Sequence, residues 1–260
     1  MSGIFVQAGL DFGAGANVIT GGLTFNAGSG TFTIQTDGGD LRFNGAITLA
    51  SDLVLDTDCA DDNSEGGSIT FTVNTPINSE AGEHNALTLD AGTASITFNA
   101  NVGANQSLST LTIQEADAGL TFGGADSSTG AGGAGPVTSI TTDGVIDFGS
   151  QEVIGAALGG TGITLNGGSS TLTIQTTGAA IRFNGATTLA SDVTLDTDST
   201  DTDAEGGTIT FTSDSPIVSA DNEFNNFTLD AGTAAITFNA TIGGAACGPE
   251  NLGDFTITEA

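Results

Sequence analysis

Along most of this chain, apolar and polar residues alternate in short bursts. LTF at 23–25, FTI at 32–34, LRF at 41–43, ITF at 69–71, LTL at 87–89, ITF at 96–98, LTI at 111–113 and LTF at 120–122 all read apolar–polar–apolar. Alternation with period two marks a strand with one buried face. Leu, Ile and Phe are expected to point inward and Thr outward, where a β-branched side chain suits a pleated surface. Many of these strands start nine residues apart: at 23, 32 and 41, at 87 and 96, and at 111 and 120. Gly, Asn, Asp and Ser fill the gaps, as turns require. No segment carries the apolar rhythm of an amphipathic helix.

The pattern is then repeated. LRFNGAITLASDLVLDTD (41–58) returns as IRFNGATTLASDVTLDTD (181–198), GGSITFT (66–72) as GGTITFT (206–212), and LTLDAGTASITFNA (87–100) as FTLDAGTAAITFNA (227–240). About two-thirds of the positions in 41–100 are identical in 181–240. A tandem repeat of strands favours a solenoid over a set of hairpins. Two recurrences support this. Asn directly follows a strand at Asn26, Asn44, Asn99, Asn166, Asn184 and Asn239, where it suits αL corners and amide ladders. Phe recurs inside the strands at Phe25, Phe43, Phe71, Phe98, Phe122, Phe183, Phe211 and Phe238, as expected of a stack along a narrow core.

The chain 1–260 therefore reads as a single continuous solenoid of two repeats, 4–139 and 140–260. The Gly-rich stretch GGADSSTGAGGAGP (123–136) reads as a protruding loop between them. It is not a phosphate-binding loop, because no helix follows it. IFVQAGLDF (4–12) aligns with ITTDGVIDF (140–148), and FTITEA (255–260) with LTIQEA (111–116). Both ends thus lie in strand-like sequence. Either the chain is an excerpt of a longer array, or its ends are covered by the next subunit.

Composition narrows the function. The chain has 2 basic and 31 acidic residues and a net charge of −29. That excludes a nucleic-acid surface, which needs clustered Lys and Arg. It also disfavours docking on anionic lipid. Cations are the natural partners of such a surface. Mean hydropathy of +0.14 and regular alternation argue for a folded chain despite the charge. No apolar run is long enough for a membrane span. The opening MSGIFVQAGLDFG lacks the n- and h-regions of a signal peptide, so export information is expected outside it or already processed.

The strings GATTLASDVTLDTD, GGTITFT, FTLDAGTAAITFNA and LTI resemble the β-strand repeats of large bacterial surface proteins, the filamentous-haemagglutinin-like and autotransporter adhesins. The resemblance covers nearly the whole chain and rests on composition and rhythm. It implies an all-β, right-handed parallel β-helix with about three strands per coil. It also implies an extracellular or cell-surface location and a structural or adhesive role without catalytic residues. The expected partners are the chain itself, head to tail, or neighbouring repeats of a longer chain, and a cell-surface or polysaccharide target.

Two acidic turns hold the candidate chemistry. Asp56, Asp58, Asp61, Asp62 and Glu65 lie in one, and Asp196, Asp198, Asp201, Asp203 and Glu205 in its repeat. Such clustered carboxylates repel unless solvated or bridged, and Ca²⁺ accepts six to eight oxygens in flexible geometry. These ten residues are the candidate calcium ligands; the spacing is neither an EF-hand nor a calcium-binding nonapeptide. Arg42 and Arg182 occupy equivalent positions and are expected to point outward, to bridge to a carboxylate on a neighbouring coil or to make a contact between subunits. His84 has no Cys or His nearby to make a metal site, and Cys59 and Cys247 do not form a disulfide framework.

Two other functions compete with a structural one. Parallel β-helices host polysaccharide lyases and hydrolases, and paired Asp residues could serve a hydrolase. A duplicated acidic scaffold with two arginines and no Trp or Tyr fits that poorly, so the chain is read as a non-enzyme. Thr-x-Thr at 31–33, 70–72, 110–112, 171–173 and 210–212 suggests an ice-binding face, but the spacing looks too irregular for one register.

Overall fold

The computed structural model describes residues 2–59, 65–124, 135–156, 160–199, 206–244 and 248–260. Among them are 25 strands and no helix. Every strand-to-strand pairing is parallel, and the pairing order steps through the chain. Ser2–Val6, Thr31–Thr36, Asp52–Asp56 and Leu87–Asp90 are neighbours in a first sheet. Leu10–Phe12, Leu41–Phe43, Ile69–Phe71 and Ser95–Phe98 are neighbours in a second. Leu23–Phe25, Ile47–Leu49 and Ile77–Ser79 begin a third. The chain visits three sheets in rotation. The first holds nine strands and the second eight. The third has a three-stranded and a five-stranded part. Val102 joins them, bridging in parallel to Ile77 and Ile140. The fold is all-β and of the parallel β-helix kind, as the alternation and the repeat lead one to expect.

Alternation becomes columns. In the second sheet, Leu10, Leu41, Ile69, Ile96, Leu120 and Ile163 are successive inward partners. Outward, Thr70, Thr97, Thr121, Thr164 and Thr188 follow one another in register. The Phe ladder is equally regular. Phe12, Phe43, Phe71, Phe98 and Phe122 stack in the second sheet at 4.7–5.2 Å between ring centroids and 8–14° between planes. Phe25 does not belong to this stack: it lies in the third sheet and meets Phe12 and Phe43 edge-on. The recurring asparagines also differ from expectation. The amides of Asn26, Asn44, Asn166, Asn184 and Asn239 bond to main chain and hydroxyls rather than to one another. Asn44 Oδ1 also accepts from the Asn74 amide at 3.0 Å, and the Asn99 side chain is buried without a hydrogen-bond partner. Asn44 Nδ2 donates to Asn17 O and its Oδ1 accepts from Thr72; Asn184 does the same with Glu152 O and Thr212. None is left-handed, since positive φ outside glycine occurs only at Asn222 and Phe224 among the described residues.

The two repeats do not stack in phase. LRF (41–43) lies in the second sheet, yet its counterpart IRF (181–183) lies in the first. TFTIQT (31–36) lies in the first sheet, while LTIQT (172–176) lies in the third. The cause is a count. Among the described residues, one repeat spans the thirteen strands from Thr31–Thr36 through Ile163–Leu165 plus the Val102 bridge, fourteen positions. Fourteen is not a multiple of three, so every feature of the second repeat moves to a different sheet. The Phe column moves too. Phe122 and Phe148 are tilted by 57° and Phe148 and Phe183 by 62°. Stacking then resumes in the first sheet at Phe183, Phe211 and Phe238.

Close approach between coils explains the repeated Gly-Gly before ITFT. A Cβ on Gly67 would lie 2.4 Å from the main chain of Gly39, and one on Gly207 2.0 Å from Ala179 O. Only glycine fits there.

Candidate metal centre

The acidic turns are partly internal. Asp56 ends its strand and accepts from Gln35 Nε2 at 2.6 Å and from the Asp58 N–H at 2.9 Å. Asp196 repeats both bonds, with Gln175 at 3.0 Å and Asp198 N–H at 2.9 Å. Asp58 and Asp198 are buried. Glu65 is exposed, and its carbonyl accepts from Thr93 N–H. Asp61, Asp62, Asp201, Asp203 and Glu205 lie outside the described residues. The structure thus brings Asp56 and Asp58 together, and likewise Asp196 and Asp198. It also separates the two turns: the strand ending at Asp56 is in the first sheet and the strand ending at Asp196 in the third.

Register extends the first turn into a column that linear spacing does not reveal. Gln35, Asp56, Asp90 and Glu115 are successive partners across four strands of the first sheet. Gln175, Asp196, Asp230 and Glu259 repeat it in the third. At Glu115 the column meets two more carboxylates. Glu115 ends the strand Leu111–Glu115, Asp117 sits in the turn before Gly119–Phe122, and Glu152 sits in the connection between Ile146–Phe148 and Ile163–Leu165. One carboxylate oxygen from each lies within 4.8 Å of the other two.

Main-chain bonds hold this corner. Ala91 N–H donates to Glu115 O at 3.0 Å and Asp117 N–H to Gly92 O at 2.9 Å. From the other side, Glu152 N–H donates to Gln114 O at 3.3 Å and Gly155 N–H to Ala116 O at 3.0 Å. The side chains are enclosed: Glu115 is 2% exposed and Asp117 9%. Glu115 Oε1 and Asp117 Oδ1 are buried without a hydrogen-bond partner. Burial, then the charges of Asp90, Glu152, Asp117 and Asp58, push the Glu115 carboxyl up to about 7. Burial and then Glu152 raise Asp117.

Sequence reasoning missed this corner because Glu152 comes from a different coil than Glu115 and Asp117. A signal existed: Glu115 recurs as Glu259, and Glu152 takes the place of Asn17, whose carbonyl bonds the equivalent corner asparagine. The other singled-out residues fall as follows. Arg42 Nη1 donates to Asp11 Oδ1 at 3.1 Å and to Gly13 O, and Arg182 Nη1 to Asp147 Oδ1 at 2.8 Å and Gly149 O, each across one strand pair. His84 Nδ1 lies 2.6 Å from Asp143 Oδ2. Cys59 is an exposed free thiol, and Cys247 lies outside the described residues. Among the described residues, no helix is long and apolar enough to cross a membrane. Comparison of the chain with protein-family models, curated proteins and solved structures finds no match in any of the three.

Proposed function

We propose that this chain is an extracellular structural element, a β-solenoid that stacks end to end into a fibre or forms the stalk of a surface adhesin. The observation that carries the reading is the first sheet, a parallel ladder of nine strands from Ser2–Val6 to Ile236–Phe238. At 4.7–4.9 Å per strand it is a rod of roughly 40 Å. Such a ladder carries load through main-chain bonds along its axis. Its outer edges suit continuation. Phe5 is 51% exposed on the first strand of that sheet, and Phe255 and Ile257 are exposed on Phe255–Glu259, the last strand of the third sheet. A strand edge with apolar side chains is a template for another strand, from a second copy or from a neighbouring repeat. The sequence resemblance to bacterial surface repeats points the same way, including the right-handed coil.

Two features weigh against the alternatives. A carboxyl near neutral pKa suits a hydrolase, but Glu115 is too enclosed for a polysaccharide to reach. The five Thr-x-Thr segments are divided among the sheets, with 31–33, 110–112 and 210–212 at the first, 70–72 at the second and 171–173 at the third. The three at the first sheet lie on strands that are not neighbours, so they do not form one ice-matching face.

Negative-stain electron microscopy of the purified chain across a concentration series tests the reading. Uniform filaments that lengthen with concentration, and a 4.7–4.8 Å axial reflection in X-ray fibre diffraction of the aligned filaments, are the expected result. Single-chain rods at every concentration would overturn end-to-end stacking.

A further inference from the structure

We propose that Glu115, Asp117 and Glu152 form a buried calcium site that clamps two adjacent coils of the solenoid together. Their three carboxylate oxygens lie within 4.8 Å of one another. Oxygens bound to Ca²⁺ at 2.3–2.6 Å stand up to about 5 Å apart, so one ion reaches all three. The donor set is hard, anionic and oxygen-only, which selects Ca²⁺ or Mg²⁺ over softer metals. Ligands from a strand end, a turn and a long connection form an irregular set, which Ca²⁺ accepts more readily than Mg²⁺ with its strict octahedron.

The independent observation is the state of the oxygens. Glu115 and Asp117 are at least nine-tenths buried, and Glu115 Oε1 and Asp117 Oδ1 accept no hydrogen bond. A buried carboxylate without a partner is costly, and a cation is the partner that removes the cost. No basic side chain is free to do so. The chain has two arginines and one histidine. Arg42 is engaged by Asp11, Arg182 by Asp147 and His84 by Asp143. Asp90 and Asp58 add negative charge at the same corner. A bound ion would tie the Leu111–Glu115 strand to the connection after Ile146–Phe148, where the Phe column changes sheets. The site does not depend on the fibre reading.

The test is titration of the chelator-treated full chain with CaCl₂, read by calorimetry and by thermal unfolding. Wild type is expected to gain several degrees in Tm with saturation. Glu152→Gln, at the half-buried ligand, should weaken calcium binding at least tenfold. Glu115→Gln should do the same, and without calcium it should unfold no earlier than wild type, because a buried charge has gone. Misfolding would lower that temperature, so the two effects separate. Unchanged calcium affinity in both variants overturns the proposal, as does a wild type whose Tm does not respond to CaCl₂.

Discussion

At the scale of single residues, neighbours in space rather than in sequence decide what a side chain does. Asp56 and Glu115 belong to the same column, yet Asp56 holds a glutamine amide and a main-chain N–H while Glu115 meets other carboxylates. The consequence for stability has a definite sign. The folded Glu115 carboxyl titrates near 7, above the ordinary 4.5. With calcium chelated, its penalty is absent below pH 4.5, grows as pH rises and is complete above 7. The shift corresponds to about 3 kcal/mol. Urea unfolding in chelator should therefore show Glu115→Gln more stable than wild type at pH 8 by an amount of that order, with the gap closing at pH 4. A gap that does not change with pH would refute the account.

At the scale of elements, each coil is fixed by alternation and by the few places where main chains nearly touch. Gly207 is such a place: a methyl group added there would meet Ala179 O at 2.0 Å and Ala179 C at 2.1 Å. Both atoms are backbone, so the coil must shift. Gly207→Ala should lower stability by about 1–3 kcal/mol in urea melts. Gly21, which has nothing within 4 Å of the same position, should tolerate alanine to within about 0.5 kcal/mol. Equal effects at the two sites would contradict the packing. This scale was the most legible in the sequence. ITF, LTL and LTI announced inward and outward faces, whereas the close approach behind the Gly-Gly of GGSITFT and GGTITFT, which the sequence showed only as a repeat, is a feature of the packed coils. The carboxylate corner was not legible, because Glu152 is 37 residues from Glu115 and nothing in either segment encodes which coil lies above which. The Asn corners were misread for a related reason. Asn44 and Asn184 follow equivalent strands, but their amides are taken up by carbonyls and hydroxyls of the adjacent coils, with the Asn74 amide as a further partner of Asn44, and not by one another.

At the scale of the molecule, fourteen strand positions per repeat rotate the second repeat relative to the first. Sequence identity therefore does not mean equivalent placement: Arg42 belongs to the second sheet and Arg182 to the first, and the two acidic turns leave different sheets. Surface features that recur in sequence are distributed around the axis instead of lining one side. The junction between repeats makes this measurable. In-phase stacking would place IDF (146–148) in the second sheet, like its counterpart LDF (10–12), and so beside LTF (120–122). The structure instead pairs Thr121 with Thr164, and Asp147 with Thr112. Nitroxide labels at 121 and 164, in a background with Cys59 and Cys247 replaced by serine, should then sit on strands about 5 Å apart and show strong dipolar broadening. Labels at 121 and 147 should project from different sheets and show little. The opposite pattern would mean that the repeats stack in phase, and that the break in the Phe column at Phe148 has some other cause.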